Sequence, residues 1–591
     1  MLSYLGKVFL LFAVLLAGCD KSSTKAELSN NADVLSTGDW DKSVEDDGRK
    51  LHVKQPAASV LVDGVVGYQI WVRSFYDSDG DGNGDINGLR EKLPYLKELG
   101  VGVLWLSPIF DSPSYHGYDT TDYYKIDSDY GTMADFDRFI AEAKKQNIRV
   151  ILDLVINHVS DQHPWFIKSL QKDPEYADYF VWSDKLPANY GPAWFDTPDP
   201  TRVWHYKEER KGDWYYGVFG YQQPDLNLKN PKVFEEIKNV AAFWLAKGVD
   251  GFRLDAIRYL IEEGGIPHQA DTQSTLGLLS EFNAFVKSKN PDAYLIGEVH
   301  ADNEITVKYY ADGKGIDAVF DFHFSRYIVE GFHVDPMVIK PSQEEVDKYI
   351  GYVKEAFWGN LTQRIANGIP PQFFAPLINN HDSDRAVTYI DNSVGRAKVM
   401  AAISLTSPGT PFIYYGEELG MPQAGTMDDM YRRSLMQWDT SENAGFNTSG
   451  KRWLDDANWF PWNTGFKPWW SNYWHTLPNR AQYTVAGQEK VPDSLLGFYK
   501  SLIAVRKVNS ALSSPDDIHY YEDTGNAWVV RYRKDSEAFW VLINLDVETP
   551  ASFSAPPNLQ GTYVNLLQKQ SVTIAPEMML DAGEVMVLTA Q

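Results

Sequence analysis

Residues 234–255, FEEIKNVAAFWLAKGVDGFRLD, contain the pattern that decides the fold. From Phe234 to Lys247 apolar side chains recur with the helical period, which predicts an amphipathic helix. After a short turn, GFRLD at residues 251–255 has the composition of a buried strand and ends in a carboxylate. A helix followed at once by such a strand is typical of a βαβ unit and hence of a parallel sheet.

The same alternation of strands and helices extends in both directions from this stretch. The eight candidate strands are VVGYQIWV (65–72), VGVLWLSPI (101–109), RVILDLVIN (149–157), GFRLD (251–255), YLIGEV (294–299), AVFDF (318–322), APLIN (375–379) and TPFIYY (410–415). Eight strand–helix repeats with insertions predict an α/β fold of the (β/α)₈ TIM-barrel type.

Two regions depart from this repeat. After the third strand, residues 160–224 are rich in Trp, Tyr, Pro and Asp, and we expect them to form an inserted subdomain. After residue 510 the helical segments stop, and strands such as WVVRYR and AFWVLINL follow one another. This pattern predicts a C-terminal β-sandwich over residues 511–591, and leaves residues 61–510 for the barrel domain with its insertion.

Charge and cysteine content exclude several classes of protein. The 55 Lys and Arg against 80 Asp and Glu give a net charge of -25, and nucleic-acid binding needs a concentrated basic surface instead. Cys19 is the single cysteine, so an internal disulfide and a cysteine-based metal site are both excluded. We expect a monomer that binds no nucleic acid.

The first 18 residues have the form of an export signal. Lys7 precedes an apolar run at residues 8–16 that is too short to span a bilayer as a finished helix. The sequence LAGC at residues 16–19 resembles the bacterial lipoprotein cleavage box, whose cysteine is acylated. We therefore expect residues 1–18 to be removed, Cys19 to carry a lipid anchor and residues 19–60 to form a polar tether. The protein would then be an exported bacterial lipoprotein, periplasmic or at the cell surface.

Polar side chains collect where the candidate strands end. In chain order they are Asp153, Asn157, His158, Arg253, Asp255, Glu298, His381 and Asp382. The carboxyl ends of the strands of a barrel meet at one face, which is where barrel proteins carry their functional groups. Burying an unpaired carboxylate is costly, so several of them at one face indicate a functional site.

The motifs DLVINH, GFRLD, GEV and NNHD, in this order and spacing, resemble those of the α-amylase family of glycoside hydrolases. The resemblance extends from about Val65 to the C-terminus. A fifth motif, QPDLN at residues 223–227, also matches. It places the chain close to the branch intermediate between oligo-1,6-glucosidases and neopullulanases.

This resemblance implies a role for each site residue. Asp255 corresponds to the nucleophile, Glu298 to the general acid and base, and Asp382 to the third catalytic carboxylate, which grips the sugar hydroxyls. The residues that correspond to substrate-binding positions are Tyr118, His158, Arg253 and His381. In a retaining enzyme the Asp255 and Glu298 carboxyls are expected about 5 to 6 Å apart. Asp153 is expected to be structural.

An acidic loop follows the first strand. Residues 77–85, DSDGDGNGD, place carboxylates at alternating positions of a Gly-rich turn. Their mutual repulsion favours a bound cation, and hard oxygen ligands select Ca²⁺. The loop is not an EF-hand, because Gly88 stands where the bidentate Glu belongs. Its resemblance to a calcium loop of the family implies as ligands the side chains of Asp77, Asp79, Asp81 and Asp85 and the carbonyl of Asn83.

The choice of substrate rests on smaller differences. Ala256 follows the nucleophile where α-1,6-specific relatives carry Val, and Tyr115-His116-Gly117-Tyr118 resembles the α-amylase pattern. Both favour an α-amylase that cleaves α-1,4 bonds in starch, maltodextrins and malto-oligosaccharides. The alternatives are an α-glucosidase acting on short malto-oligosaccharides, a 4-α-glucanotransferase or a trehalose synthase. A non-catalytic glucan-binding relative is a remote alternative, because the catalytic carboxylates are all present.

Overall fold

The computed structural model describes residues 49–53, 64–195, 197–332, 342–425, 429–456 and 470–591. The predicted signal peptide, Cys19 and most of the predicted tether lie outside these ranges. Across the ranges, none of the helices combines the length and the apolar character needed to cross a membrane. The chain forms two compact units, a smaller one of residues 157–234 and 258–275 and a larger one that contains the rest.

The larger unit contains the predicted barrel. Its parallel strands are β1 Gly67–Ile70, β2 Val103–Leu106, β3 Arg149–Val155, β4 Gly251–Asp255, β5 Tyr294–Gly297, β6 Ala318–Asp321, β7 Phe374–Pro376 and β8 Phe412–Tyr414. Their order in the sheet is β7-β6-β5-β4-β3-β2-β1-β8. A parallel bridge between Leu377 and Phe412 joins the two edges. The eight predicted strands and the predicted fold class are therefore confirmed.

Apolar side chains fill the interior of the barrel. Alternate residues of each strand point inward, and the interior cluster consists of Val103, Trp105, Ile151, Tyr294, Ile296, Ala318, Phe320, Ala375, Leu377 and Phe412. Trp105 stacks on Phe320 with ring centroids 4.8 Å apart. Because the interior is packed, polar side chains meet at the carboxyl ends of the strands.

Helices pack around this barrel or follow it. The helices that lie wholly in the larger unit are Val72–Phe75, Ile86–Leu99, Met133–Lys145, Asn303–Thr306, Phe322–Phe332, Gln343–Ala366, Val394–Thr406, Trp470–Thr476, Val485–Gln488 and Leu495–Val508. Two more, Pro231–Ala246 and Gln273–Lys289, have their first residues in the smaller unit and the rest in the larger one. Local chemistry sets their starts: Thr132 and Asp135 form a capping box before Met133, and Ser342 and Glu345 form another before Gln343. A short hairpin, Phe110–Asp111 with Asp122–Ile126, lies after β2.

The smaller unit includes the insertion predicted after the third strand. It consists of the helix Pro164–Leu170 and an antiparallel sheet of Trp182–Ser183, Trp214–Tyr216 and Trp204–Tyr206, in that order. Residues 258–275, which the sequence assigned to the barrel, also belong to it. The side chain of Gln269 explains this, because it donates hydrogen bonds to the Gly191 carbonyl at 2.9 Å and to the Tyr216 hydroxyl at 2.7 Å.

The C-terminal region is all β, as predicted. One antiparallel sheet contains Arg49–His52, Asp517–Tyr521, Ala527–Lys534, Glu537–Asn544, Val585–Ala590, Gly561–Asn565 and Gln570–Ile574. A second sheet pairs Ala551–Ser554 with Glu577–Leu580. Apolar residues from both sheets, among them Val529, Leu542 and Phe553, form a common core.

Residues 49–52 correct one expectation. They fall within the stretch 19–60 predicted as a tether, but they form an edge strand with Arg49 opposite Tyr520. Leu51 is buried, while Arg49 and His52 are exposed. An edge strand needs to bury only one of its faces, so a largely polar segment is sufficient here, and its composition resembles that of a linker.

Candidate active site

A buried arginine organises the carboxyl ends of three neighbouring strands. The parallel register sets Arg253 of β4 opposite Asp153 of β3. Its Nη1 lies 2.8 Å from Asp153 Oδ1 and 2.5 Å from Asp255 Oδ1, and its Nη2 lies 2.9 Å from Glu298 Oε2. One guanidinium therefore holds three carboxylates, two of which are the predicted nucleophile and general acid.

Burial in this cluster raises the pKa values of its carboxyls. Burial raises the pKa of Asp255 to about 6. The negative charge of Asp153 raises it as well, and together these two effects outweigh the attraction of Arg253, which lowers it. Burial also raises the pKa of Glu298. The positive charge of Arg253 lowers this pKa, and the negative charge of Asp255 raises it. Asp255 therefore stays mostly ionised at neutral pH, while Glu298 holds a proton more readily than an exposed glutamate.

The residue after Asp255 also contributes to the cluster. Ala256 has a φ of 51°, a left-handed conformation that is unfavourable for residues with a Cβ. Its backbone amide donates a hydrogen bond to Glu298 Oε2 at 3.1 Å. This unusual backbone geometry ties the end of β4 to the carboxylate of the next strand, as expected where local strain serves a functional site.

Asp382 is held by a separate set of groups. Its Oδ1 lies 2.9 Å from Arg433 Nη2, and its Oδ2 lies 3.1 Å from His381 Nε2. Removal from water opposes ionisation, but these two neighbours outweigh it and hold the pKa of Asp382 well below its usual range. Asp382 is therefore a permanent anion. Its side chain remains 48% exposed, which leaves it accessible to a ligand.

His381 lies in a stack of rings. Its ring is parallel to that of Tyr118, with an angle of 8° and centroids 5.5 Å apart. Gln69 Nε2 lies 2.6 Å from His381 Nδ1, and the Tyr118 oxygen lies 2.6 Å from His381 Nε2. If Gln69 donates to Nδ1, the ring proton lies on Nε2 and points to Tyr118 and Asp382. Tyr118 also donates to Asp153 Oδ2 at 3.1 Å.

His158 lies in the smaller unit. It is buried and pairs by an antiparallel bridge with Asp225 of the QPDLN motif. The amide of Leu226 donates to the Asn157 carbonyl at 2.9 Å, and the His158 ring lies 5.2 Å from that of Phe219. The structure thus brings the end of DLVINH together with QPDLN, while the role of His158 toward a sugar stays a prediction.

The acidic loop brings three of its four carboxylates together. Ligand oxygens of Asp77, Asp79 and Asp85 lie within 4.8 Å of one another, an arrangement that suits a hard divalent cation. Asp81 does not belong to this group, and its carboxylate accepts a hydrogen bond from the backbone amide of Asn83 at 2.7 Å. The predicted ligand roles of Asp81 and Asn83 stay predictions.

The sequence matches the family described as "Alpha amylase, catalytic domain" over residues 69–515. The chain belongs to the alpha-amylase family. It is therefore a glycoside hydrolase, in agreement with the resemblance of its motifs and with the (β/α)₈ barrel.

Relatives within the alpha-amylase family are named for different activities. Alpha-amylase 3 of Dictyoglomus thermophilum is 37% identical over 448 residues, which cover 76% of this chain and 78% of that protein. An oligo-1,6-glucosidase of Bacillus cereus is 32% identical over 567 residues, covering 85% and 93%. The crystal structure of an alpha-amylase from H. orenii matches with a TM-score of 0.71 at 32% identity, covering 90% of this chain and 100% of that one.

The site of this alpha-amylase-family chain contains residues that the sequence did not indicate. Arg433 is buried, and besides Asp382 it contacts the His381 carbonyl at 3.1 Å and the Tyr115 hydroxyl at 3.3 Å. Gln69 was also missed, although it lies within the predicted first strand. A polar residue inside an otherwise apolar strand was the available signal for Gln69, whereas Arg433 lies in a segment without strand periodicity.

Proposed function

We propose that the protein is a retaining α-amylase that hydrolyses α-1,4-glucosidic bonds in starch, maltodextrins and malto-oligosaccharides. The observation that carries this proposal is the attachment of Asp255 and Glu298 to one buried guanidinium. Asp255, ionised near neutral pH, can act as the nucleophile, and burial raises the pKa of Glu298, which favours the protonated form that a proton donor needs.

The reaction follows from these two roles. Asp255 attacks the anomeric carbon and forms a C–O bond as the glycosidic C–O bond breaks, while Glu298 gives its proton to the leaving oxygen. Glu298 then removes a proton from water, and the water oxygen displaces Asp255 from the sugar. Two inversions give net retention. Asp382, as a permanent anion, would hold sugar hydroxyls during both steps.

The proposed preference for α-1,4 bonds rests on observations other than the catalytic pair. The alpha-amylase of D. thermophilum is the relative with 37% identity. Tyr115 contacts Arg433, and its ring stacks on Trp453 at 5.4 Å. By resemblance, exo-acting relatives carry Asp at or next to this position to close the pocket. Tyr115 at this position carries no carboxylate that would close the cleft, which is consistent with a site that accepts longer chains.

An α-glucosidase or oligo-1,6-glucosidase is the second candidate. The observation in its favour is coverage, because oligo-1,6-glucosidases match 83% to 85% of this chain. Products released from starch, maltotriose, pullulan and isomaltose distinguish the two. Internal cleavage of starch with isomaltose untouched is the expected result. Release of glucose alone, from maltose or from isomaltose, would favour the second candidate.

Catalysis at Asp255 has its own test. An Asp255→Asn variant keeps the size of the side chain but removes its charge, so sugar release is expected to fall by about 10⁴-fold or more. The anomer first released by the parent enzyme, observed by NMR, reports retention. Unchanged sugar release by the variant, or an inverted first product, would contradict the assignment.

We also propose that Asp77, Asp79 and Asp85 hold a calcium ion. The support is the grouping of their oxygens and the charge repulsion that such a grouping entails. Burial raises the pKa values of Asp77 and Asp85, and a bound divalent cation would favour their ionised forms. When bound, the ion supplies positive charge that stabilises the loop, and it takes no part in bond cleavage.

We propose export and lipid anchoring on the basis of the sequence around Cys19. The expected result is incorporation of labelled palmitate into the full-length protein expressed in a Gram-negative host, and its loss in Cys19→Ser. Labelling that survives this substitution would refute Cys19 as the attachment site. Fractionation of the same cells assigns the anchored protein to the inner or outer membrane.

A further inference from the structure

Trp453 lies in the part of the chain that returns to the active site after β8. Its side chain is buried, and its ring stacks on that of Tyr115 with an angle of 20° and centroids 5.4 Å apart. Its indole Nε1 donates a hydrogen bond to Ser74 Oγ at 2.9 Å. Its backbone amide donates to the Gly82 carbonyl at 2.8 Å. The residue is therefore fixed both at its backbone and at its side chain.

These two side-chain contacts of Trp453 both lead to Arg433. Arg433 Nη1 donates to the Tyr115 hydroxyl at 3.3 Å. The Ser74 hydroxyl donates to the backbone carbonyl of Arg433 at 2.5 Å, so it accepts a hydrogen bond from one residue and donates one to the other. Trp453 is thus connected to Arg433 by two routes, one that ends at the guanidinium and one that ends at the backbone.

Arg433 in turn holds the groups proposed to bind the sugar. Its Nη2 lies 2.9 Å from Asp382 Oδ1, and its Nε donates to the His381 carbonyl at 3.1 Å. Because the Asp382 side chain is half-exposed, its orientation depends on these partners more than on packing. Arginine has many rotamers, so a guanidinium that must hold one carboxylate in place needs contacts that select a single rotamer.

We propose that Trp453 and Ser74 are positioning residues for substrate binding, which fix the rotamer of Arg433 and thereby the orientation of Asp382. The inference rests on the proposed function, in which Asp382 holds sugar hydroxyls. Both residues are buried, so they act through Arg433. When a contact is lost, only a fraction of the molecules presents Asp382 correctly. The apparent affinity for substrate falls by that fraction, so KM rises more than kcat falls.

A double-mutant cycle on kcat/KM for maltoheptaose tests the proposal with the full chain. Trp453→Phe keeps an aromatic ring but has no N–H, and Ser74→Ala removes the hydroxyl that this N–H contacts. Each is expected to lower kcat/KM about threefold to tenfold through KM, with kcat within about twofold of the parent. The double variant is expected to lose no more than the larger single loss, because both substitutions break the same route to Arg433.

A second cycle combines Trp453→Phe with Arg433→Met. If Trp453 acts through Arg433, this double variant has the kcat/KM of Arg433→Met alone, whereas independent effects multiply. Trp474→Phe is the matched control. Trp474 is also buried, its ring stacks on that of Trp470 at 5.8 Å and 11°, and its Nε1 donates to the Ser441 carbonyl at 2.7 Å. This control is expected to lower Tm about as much as Trp453→Phe but to keep the KM of the parent.

The outcomes separate the inference from the proposed function. If the parent enzyme does not cleave maltoheptaose, the proposed function fails, and this inference fails with it. If the parent cleaves it and the losses of Trp453→Phe and Arg433→Met multiply, only the positioning role is refuted. A KM equal to that of Trp474→Phe would refute it as well. If Trp453→Phe does not fold, Ser74→Ala combined with Arg433→Met decides the same question.

Discussion

Two groups of carboxylates in the larger unit are held in opposite ways. At the carboxyl ends of the strands, Asp255 and Glu298 contact the guanidinium of Arg253. In the acidic loop, Asp77 accepts from the amides of Gly80 and Gly82, at 2.6 and 2.9 Å, so neutral groups bind its carboxylate.

The difference shows what each group requires. A fixed internal cation that is outnumbered by carboxylates leaves their pKa values raised, and a carboxyl group that donates a proton near neutral pH needs a raised pKa. Carboxylates that converge on neutral donors repel one another, and a mobile cation from solution relieves that repulsion. Charge compensation by Arg253 thus agrees with the proposed catalytic role of the first group, and compensation by a cation from solution agrees with the proposed stabilising role of the second.

Among the tests of this comparison, substitution of Glu298 has the largest expected effect on activity. Glu298→Gln keeps the hydrogen bond from Ala256 but has no acidic proton to give, so kcat/KM for maltoheptaose is expected to fall about 10³- to 10⁴-fold. The loss should be much smaller with α-glucosyl fluoride, whose leaving group needs no proton. Initial rates at substrate concentrations well below KM give kcat/KM for both substrates, which reports the bond-breaking step and excludes the later step in which Glu298 acts as base.

Asp255→Asn provides the control for that experiment. Loss of the nucleophile should abolish turnover of the fluoride and of maltoheptaose alike. Equal losses on the two substrates in Glu298→Gln would mean that Glu298 is not the proton donor, and the cluster on Arg253 would then have another purpose.

Arg433 tests whether Asp382 depends on its own cation. Arg433→Met removes a charged partner from a carboxylate, an interaction worth about 1.5 to 3 kcal/mol, so kcat/KM is expected to fall about 10- to 100-fold. Arg138→Met is the control, because Arg138 is exposed and pairs with Asp135 on a barrel helix. Activity equal to that of the control would show that His381 alone holds Asp382.

The pH profile gives a smaller effect. Asp255 must be ionised to attack, and burial raises its pKa to about 6. The kcat/KM of the free enzyme is therefore expected to rise with pH through about 6, tenfold per unit on the acid side. On the alkaline side activity falls as Glu298, whose pKa burial also raises, loses its proton. An acid limb near 4, the ordinary value for aspartate, would mean that Arg253 compensates the cluster fully.

The sequence was sufficient for the barrel because each strand is a short apolar run with its own boundary. It was sufficient to select Asp255 and Glu298 as candidates, because each of them lies at the end of such a run, and their catalytic roles stay predictions. The strand Arg49–His52 could not be predicted, since its one buried apolar residue, Leu51, gives no alternation to detect. Its partner strand, Asp517–Tyr521, is also remote in sequence.

Contacts across long sequence separations account for the other omissions. Arg433 reaches Asp382 only because the chain after β8 returns to the site, and a single sequence gives no indication of such a return. Gln269 joins residues 258–275 to the smaller unit through hydrogen bonds to Gly191. Such pairings depend on tertiary packing rather than on local periodicity.

Calcium removal gives the smallest expected effect and acts on the acidic loop alone. A ligand at about 100 times its Kd stabilises the folded state by about 2.7 kcal/mol, so for a unit of this size a chelator is expected to lower Tm by about 2 to 3 °C, reversibly on addition of Ca²⁺. Asp79→Asn should remove most of this shift, because Asp79 belongs to the group of three carboxylates.

Asp81→Asn, also exposed and two residues away, is the matched variant. The grouping of Asp77, Asp79 and Asp85 predicts that it keeps a calcium-dependent Tm, because Asp81 does not belong to that group. Loss of the shift in both variants would restore Asp81 to the ligand set. Retention in both would show that the loop's carboxylates, unlike those on Arg253, need no further cation. Kinetics at saturating Ca²⁺ should match the parent in both variants, since the proposed role of the loop is in stability and the proposed catalytic carboxylates contact Arg253.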